Sequence, residues 1–177
     1  QAEALRHRLS AGHDVEATAL YSSSYSRALE TAQIIAPALG SLPLTVEPGW
    51  GEQDPGPDCD GLSFQDFVAL HGPPDWDSDP HDVIFPGGET IHGFHTRIVE
   101  TLRRTVRAHE GETVVVSCHG GVIDAVLRHT VQMKQVGGFE LQTVNTSITE
   151  LRHLHTNRWQ LIRYNDAAHL AGLSSEE

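Results

Sequence analysis

The six residues Thr113-Val114-Val115-Val116-Ser117-Cys118 form a continuous apolar run with no in–out alternation. β-Branched side chains of this kind favour an extended backbone. A strand without a polar face must be covered on both sides, the condition met in a parallel sheet flanked by helices. His119-Gly120-Gly121 follows at once, and the spacing of apolar residues then predicts a helix over 122–130. Strand, tight turn and helix in this order constrain the chain to an α/β fold.

The other segments agree. Helix-forming sequence occupies 1–9, a turn is expected at 12–14, and Ala17 to Ser22 reads as a short strand. Ala28, Ala32, Ile35 and Leu39 predict a helix over 26–39, with Pro37 in its last turn and Gly40 as the stop. Residues 42–46 make a second strand. Loops rich in Pro, Gly and Asp follow at 47–61 and 71–88, around a short helix capped by Ser63. Ile91, Phe94, Ile98, Leu102 and Val106 predict a long helix from about 89 to 109. Two late strands, 143–154 and 158–164, join at Thr156-Asn157 as a hairpin. The alternation predicts one domain over 1–177, a three-layer α/β/α sandwich with a mostly parallel sheet. In such sheets ligands gather at the carboxyl ends of the strands. That places interest on 22–27, 47–52 and 118–121.

Charge narrows the partners. The chain has 12 Lys plus Arg against 24 Asp plus Glu, a formal net charge of −12. Such a field argues against nucleic acid and against an anionic membrane. A small anionic substrate stays open, because a few Arg, His and backbone N–H groups can build a locally positive pocket. The two cysteines, Cys59 and Cys118, support neither a disulfide framework nor a zinc site, so a reducing cytoplasm is the expected compartment. The pairs His92/His95 and His153/His155 lack a third ligand at a telling spacing, so no metal is expected.

Three stretches suit phosphate chemistry. His119-Gly120-Gly121 sits where a strand hands over to a helix N-terminus, whose unpaired N–H groups and partial positive charge favour an anion. In Ser22-Ser23-Ser24-Tyr25-Ser26-Arg27, an Arg at a helix start can aim its planar fork at the same anion. In Gly49-Trp50-Gly51-Glu52 a loop carboxylate could serve as general acid and base. Each alone has a plain structural explanation: a turn histidine, capping serines with a solvated arginine, and a solvated glutamate.

Together, and in this order, they resemble the histidine phosphatase (phosphoglycerate mutase-like) superfamily. The resemblance rests on Ser23 to Ala32, on Pro86-Gly87-Gly88-Glu89-Thr90 and on Val114 to Val122. The tail, Asn145 to Thr149 and Trp159 to Leu170, resembles the small phosphatase branch. It implies a phosphomonoester hydrolase that works through a phosphohistidine on a small phosphorylated metabolite, without cofactor or metal. His119 resembles the family's second phosphate-pocket histidine and Arg27 its second phosphate-binding arginine. Glu52 resembles its proton donor, in a pattern that departs from the family's Leu-x-Glu. The Gly120 N–H and Ser24 would complete the phosphate cradle, and a homodimer is left open. A mutase is the alternative enzyme, disfavoured by the short stretch from Glu52 to Pro86. A catalytically inactive phosphate-ligand or interaction domain is the alternative from another class. No Arg-His-Gly triplet, the family's nucleophile motif, occurs in the 177 residues. With an uncapped helix at its very start, the chain is expected to lack its beginning. An upstream in-frame Leu-x-Arg-His-Gly would bear this out, and a start codon directly before Gln1 would refute it.

Overall fold

A computed structural model describes residues 1–11 and 14–173, so the turn expected at 12–14 lies largely outside the described residues. The described residues form five α-helices and five strands. They are α1 (Ala2–Ser10), β1 (Ala19–Ser22), α2 (Ser26–Ile35), β2 (Leu44–Val46), α3 (Phe64–His71), α4 (Ile91–Ala108), β3 (Val114–Ser117), α5 (Gly120–Thr130), β4 (Ile148–His155) and β5 (Arg158–Asp166). The helix expected over 26–39 changes to a 3-10 turn at Ala36–Leu39, because Pro37 has no N–H to continue the α ladder. Gly40 closes it in the left-handed region, at φ +73°. Ser63 and Thr90 cap α3 and α4 by accepting from the N–H groups of Asp66 and Gly93. Among the described residues no helix is long and apolar enough to cross a membrane.

β2, β1 and β3 form a parallel sheet in that order. Leu20 lies opposite both Leu44 and Val115, so side chains of one parity share one face. On that face Leu20 and Val115 meet Leu5 and Leu9 of α1 and Ile35 of α2. On the other, Tyr21 and Val116 meet Phe94 and Ile98 of α4 and Val122 and Ala125 of α5, with Trp50. Two apolar clusters on opposite faces of one sheet make the three layers. Ile98, Ala32 and Ala125 are fully enclosed and Leu20 nearly so. Burying a side chain such as Leu20 or Ile98 stabilises by about 1.5–3 kcal/mol.

The apolar run is covered on both faces as expected, Val115 by one cluster and Val116 by the other, with Val114 to Ser117 each half-buried. β3 ends the three-stranded sheet, and its outer ladder has no partner among the described strands. β4 and β5 form a separate antiparallel hairpin. Side chains hold it to the rest. Arg8 of α1 donates to both carboxylate oxygens of Asp166, at 3.0 and 2.6 Å, and to Asp14 at 2.7 Å. Arg163 of β5 donates to the other oxygen of Asp14 at 2.7 Å. The hydrogen bonds from Arg8 hold the Asp166 carboxyl far below the usual carboxylate range.

Candidate active site

β1 and β3 are parallel neighbours, so their carboxyl ends lie side by side and the helices that follow, α2 and α5, start in one crevice. The strands set the positions; the residues just after them supply the chemistry.

His119 follows β3 and is the residue before α5 begins. It is buried, 7% exposed. Arg27 Nε donates to its Nδ1 at 3.2 Å, so Nδ1 is the unprotonated nitrogen. Nε2 then carries the proton and donates to Ser23 Oγ at 2.7 Å. Burial first, and the Arg27 charge second, push the His119 pKa down to about 4. At neutral pH the ring is therefore an uncharged donor held in one tautomer. The Tyr25 ring packs 5.1 Å from it, and the Arg27 guanidinium lies over Tyr25 at 4.9 Å. Arg27 itself is exposed, so its charge faces the crevice mouth rather than the core.

The sequence points to Ser24 as a phosphate ligand. The structure leaves Ser24 exposed and brings Ser23 to His119 instead. Ser23 Oγ also accepts the Tyr25 N–H at 3.3 Å. β1 ends at Ser22, and both Ser22 and Ser23 are at 0% exposure where the chain leaves the strand. Gly120 opens α5, in the turn whose N–H groups have no partner within the helix.

Glu52 reaches the same helix start. Its Oε2 accepts the Gly121 N–H at 3.0 Å and its Oε1 accepts the Gln53 N–H at 2.9 Å. A carboxylate at a helix N-terminus is favourably placed. It requires glycine at 121: a Cβ there would come within 2.3 Å of Glu52 Oε1. Gly120 carries no such constraint, since its Cβ would meet nothing nearer than 3.9 Å. Gly121→Ala is therefore expected to push the Glu52 carboxylate off the helix. The lost charge-assisted bond costs about 1–2 kcal/mol, while the better helix propensity of alanine returns up to about 1 kcal/mol. The diagnostic is thus the coupling. A double-mutant cycle with Glu52→Gln, read by urea denaturation, should show about 1 kcal/mol of interaction. Strict additivity would mean that the contact carries no energy.

The loop that presents Glu52 is clamped by Arg97 of α4, which sequence reasoning missed. Arg97 Nη1 donates to the carbonyls of Gly49 and Gly51, both at 3.0 Å, and Nη2 to that of Glu52 at 3.2 Å. Its fork also grips Glu89, Nε on Oε1 at 3.0 Å and Nη2 on Oε2 at 2.7 Å. Pro86-Gly87-Gly88-Glu89-Thr90 thereby gains a physical meaning. Glu89 fixes the clamp, Thr90 starts its helix, and Gly88 passes so close to the Asp54 carbonyl that a Cβ would sit 2.7 Å away. Trp50 buries beneath the loop at 3% exposure.

Cys118 is no rival nucleophile, because burial pushes its thiol up to about 12. Among the described residues no three His, Cys, Asp or Glu side chains gather as metal ligands. The crevice can thus hold an anion between an imidazole N–H, a guanidinium and a helix N-terminus, with a carboxylate beside it to move a proton.

Residues 1–167 match the family model described as histidine phosphatase superfamily, branch 1. Phosphoglycerate mutase-like protein 4 of Arabidopsis thaliana is 31% identical over 96% of this chain and 73% of its own length. A metal-independent phosphoserine phosphatase from the same plant is 29% identical over 98% of this chain and 71% of its own. Bacillus stearothermophilus YhfR superposes with a TM-score of 0.80 at 24% identity, covering 96% of this chain and 82% of that one.

Proposed function

Because the chain belongs to the histidine phosphatase superfamily, we propose that it serves a phosphomonoester hydrolase, with His119 and Arg27 holding the phosphoryl group and Glu52 protonating the leaving oxygen. The observation that carries this reading is convergence: three residues from three separate segments meet at the start of α5. The neutral His119 would donate through Nε2 once the phosphate takes the place of Ser23 Oγ, while Arg27 supplies charge and the Gly120 N–H adds the helix contribution. Glu52 stands where a carboxylic acid can give its proton to an alkoxide and later take one from water. A relative named for phosphoserine hydrolysis supports a small phosphomonoester as substrate. Net release to water is preferred over return to a second hydroxyl, as a mutase would do, given the short stretch between Glu52 and Pro86.

A phosphohistidine intermediate needs a nucleophile that these residues do not contain, since no Arg-His-Gly triplet is present. Binding is therefore the direct test for this chain. His119→Ala and Arg27→Ala should each weaken inorganic phosphate about ten- to hundredfold, the worth of one charge-assisted hydrogen bond. Calorimetric titration reads this directly, and wild-type affinity in His119→Ala would sink the assignment. Acid-labile, base-stable phosphate trapped on the product of the complete gene would identify the covalent step.

A further inference from the structure

We propose that the cavity beside Glu52 takes the alcohol half of the substrate, and that this alcohol is uncharged or amine-bearing rather than one carrying a carboxylate or a second phosphate. The inference rests on the phosphomonoesterase reading above and adds the chemical class of the leaving group.

The cavity has a volume of about 490 Å³ and runs from Gln53 and Gly121 to the segment 135–140. That is ample for a small alcohol, since ligand pockets span about 300–1,000 Å³. Gly121 is shared with the phosphate crevice, because its N–H holds Glu52. A phosphate seated at the start of α5 and protonated from Glu52 therefore directs its leaving oxygen into this space. Trp76, Ile91, Phe94 and Phe139 supply apolar walls.

The charges decide the class. The one arginine in the wall, Arg128, is 6% exposed and already engaged. Its Nε donates to Asp124 at 2.6 Å, its Nη1 to the carbonyls of Lys134 and Gly137 at 2.9 and 3.3 Å, and its Nη2 to the carbonyl of Phe139. Four hydrogen bonds occupy a guanidinium with five N–H groups. Arg128 thus staples the segment 134–139 into place and has no fork left for a carboxylate. His95, also in the wall, is 6% exposed and held uncharged at neutral pH by burial. Asp77 and Glu140 remain; both are exposed, and neither has an ion-pair partner among the described residues. The space is apolar on its walls and negative in its field. A carboxylate-bearing leaving group meets repulsion there without a compensating cation, whereas a hydroxyl or an ammonium group does not.

The test measures affinity, so it does not depend on turnover. O-phosphoethanolamine, glycerol 1-phosphate and 3-phosphoglycerate are titrated into the 177-residue chain by calorimetry, each compared with inorganic phosphate. The expected order places 3-phosphoglycerate at least about tenfold weaker than phosphoethanolamine, with a gap that narrows at high salt. The double variant Asp77→Lys/Glu140→Lys should reverse the preference toward 3-phosphoglycerate. Equal or tighter binding of 3-phosphoglycerate by the unaltered protein would overturn the inference while leaving the phosphate site intact. Failure of inorganic phosphate to bind, or binding indifferent to His119→Ala, would overturn the phosphatase reading and this inference with it.

Discussion

Replacing Arg97 with alanine is expected to lower stability by about 3 kcal/mol and to cost roughly a hundredfold in turnover. Removing the guanidinium leaves three loop carbonyls and the Glu89 carboxylate without their donors. Leaving partly buried polar groups unpaired costs more than the bonds were worth in the intact protein. The turnover loss follows from a second cause. In the role proposed for it Glu52 would act by position, since general acid catalysis is worth roughly a hundred- to ten-thousand-fold only when the carboxyl stays within reach of the leaving oxygen. Arg97→Lys should rescue little, because an ammonium cannot bridge a carboxylate and three carbonyls as a planar fork does. Urea denaturation and steady-state kinetics on the full-length enzyme check both parts. A stability change under about 0.5 kcal/mol would show that the clamp is idle.

Acid should destabilise the fold well above the range in which carboxylates titrate. His95 and His119 are both buried, and both are lowered to a pKa of about 4 from an ordinary value near 6.5. In His95 desolvation leads, partly countered by Asp124. In His119 desolvation leads and Arg27 adds to it. Between pH 4 and 6.5 the unfolded chain binds more protons than the folded one at these sites, so stability rises with pH across that window. It is fully present above pH 6.5, is lost as pH falls toward 4, and changes no further through these groups below that. Each contributes about 2–3 kcal/mol, so the pair removes about 5 kcal/mol, a large share of an ordinary domain's 5–15 kcal/mol. Denaturant titrations from pH 4 to 7 measure the slope. His95→Gln should roughly halve it, and a flat profile over this window would refute the assignment. Asp166 acts in a separate window. Its carboxyl is held down by Arg8, so its contribution is present above the ordinary Asp range and fades only in stronger acid.

Local signals carried much of the fold. The capping hydroxyl of Ser63, the apolar spacing of α4, and the strand-to-helix handover at His119 are short-range chemistry, and a single pass along the chain reads them. His119, Arg27 and Glu52 were legible as candidates because strand ends in α/β sheets gather ligands. Two features were not legible. Ser23 rather than Ser24 meets His119 because the backbone path just past β1 decides which hydroxyl turns inward. Arg97 looks in sequence like any helix arginine, and its role exists only where α4 crosses the loop at 49–52. The apolar run at β3 shows that both its faces want cover, which they have, but only the pairing order shows whether it has strand neighbours at both edges.

That open edge of β3 has a consequence for handling the protein in solution. Four residues of extended backbone, Val-Val-Val-Ser, have no strand partner along one side among the described residues. Neither proline nor lysine interrupts the stretch, and these are common guards against edge-to-edge association. Chains crowded at high concentration would find in one another the complement that edge wants. Self-association that rises with concentration is the expected result for these residues, and sedimentation at two concentrations would measure it.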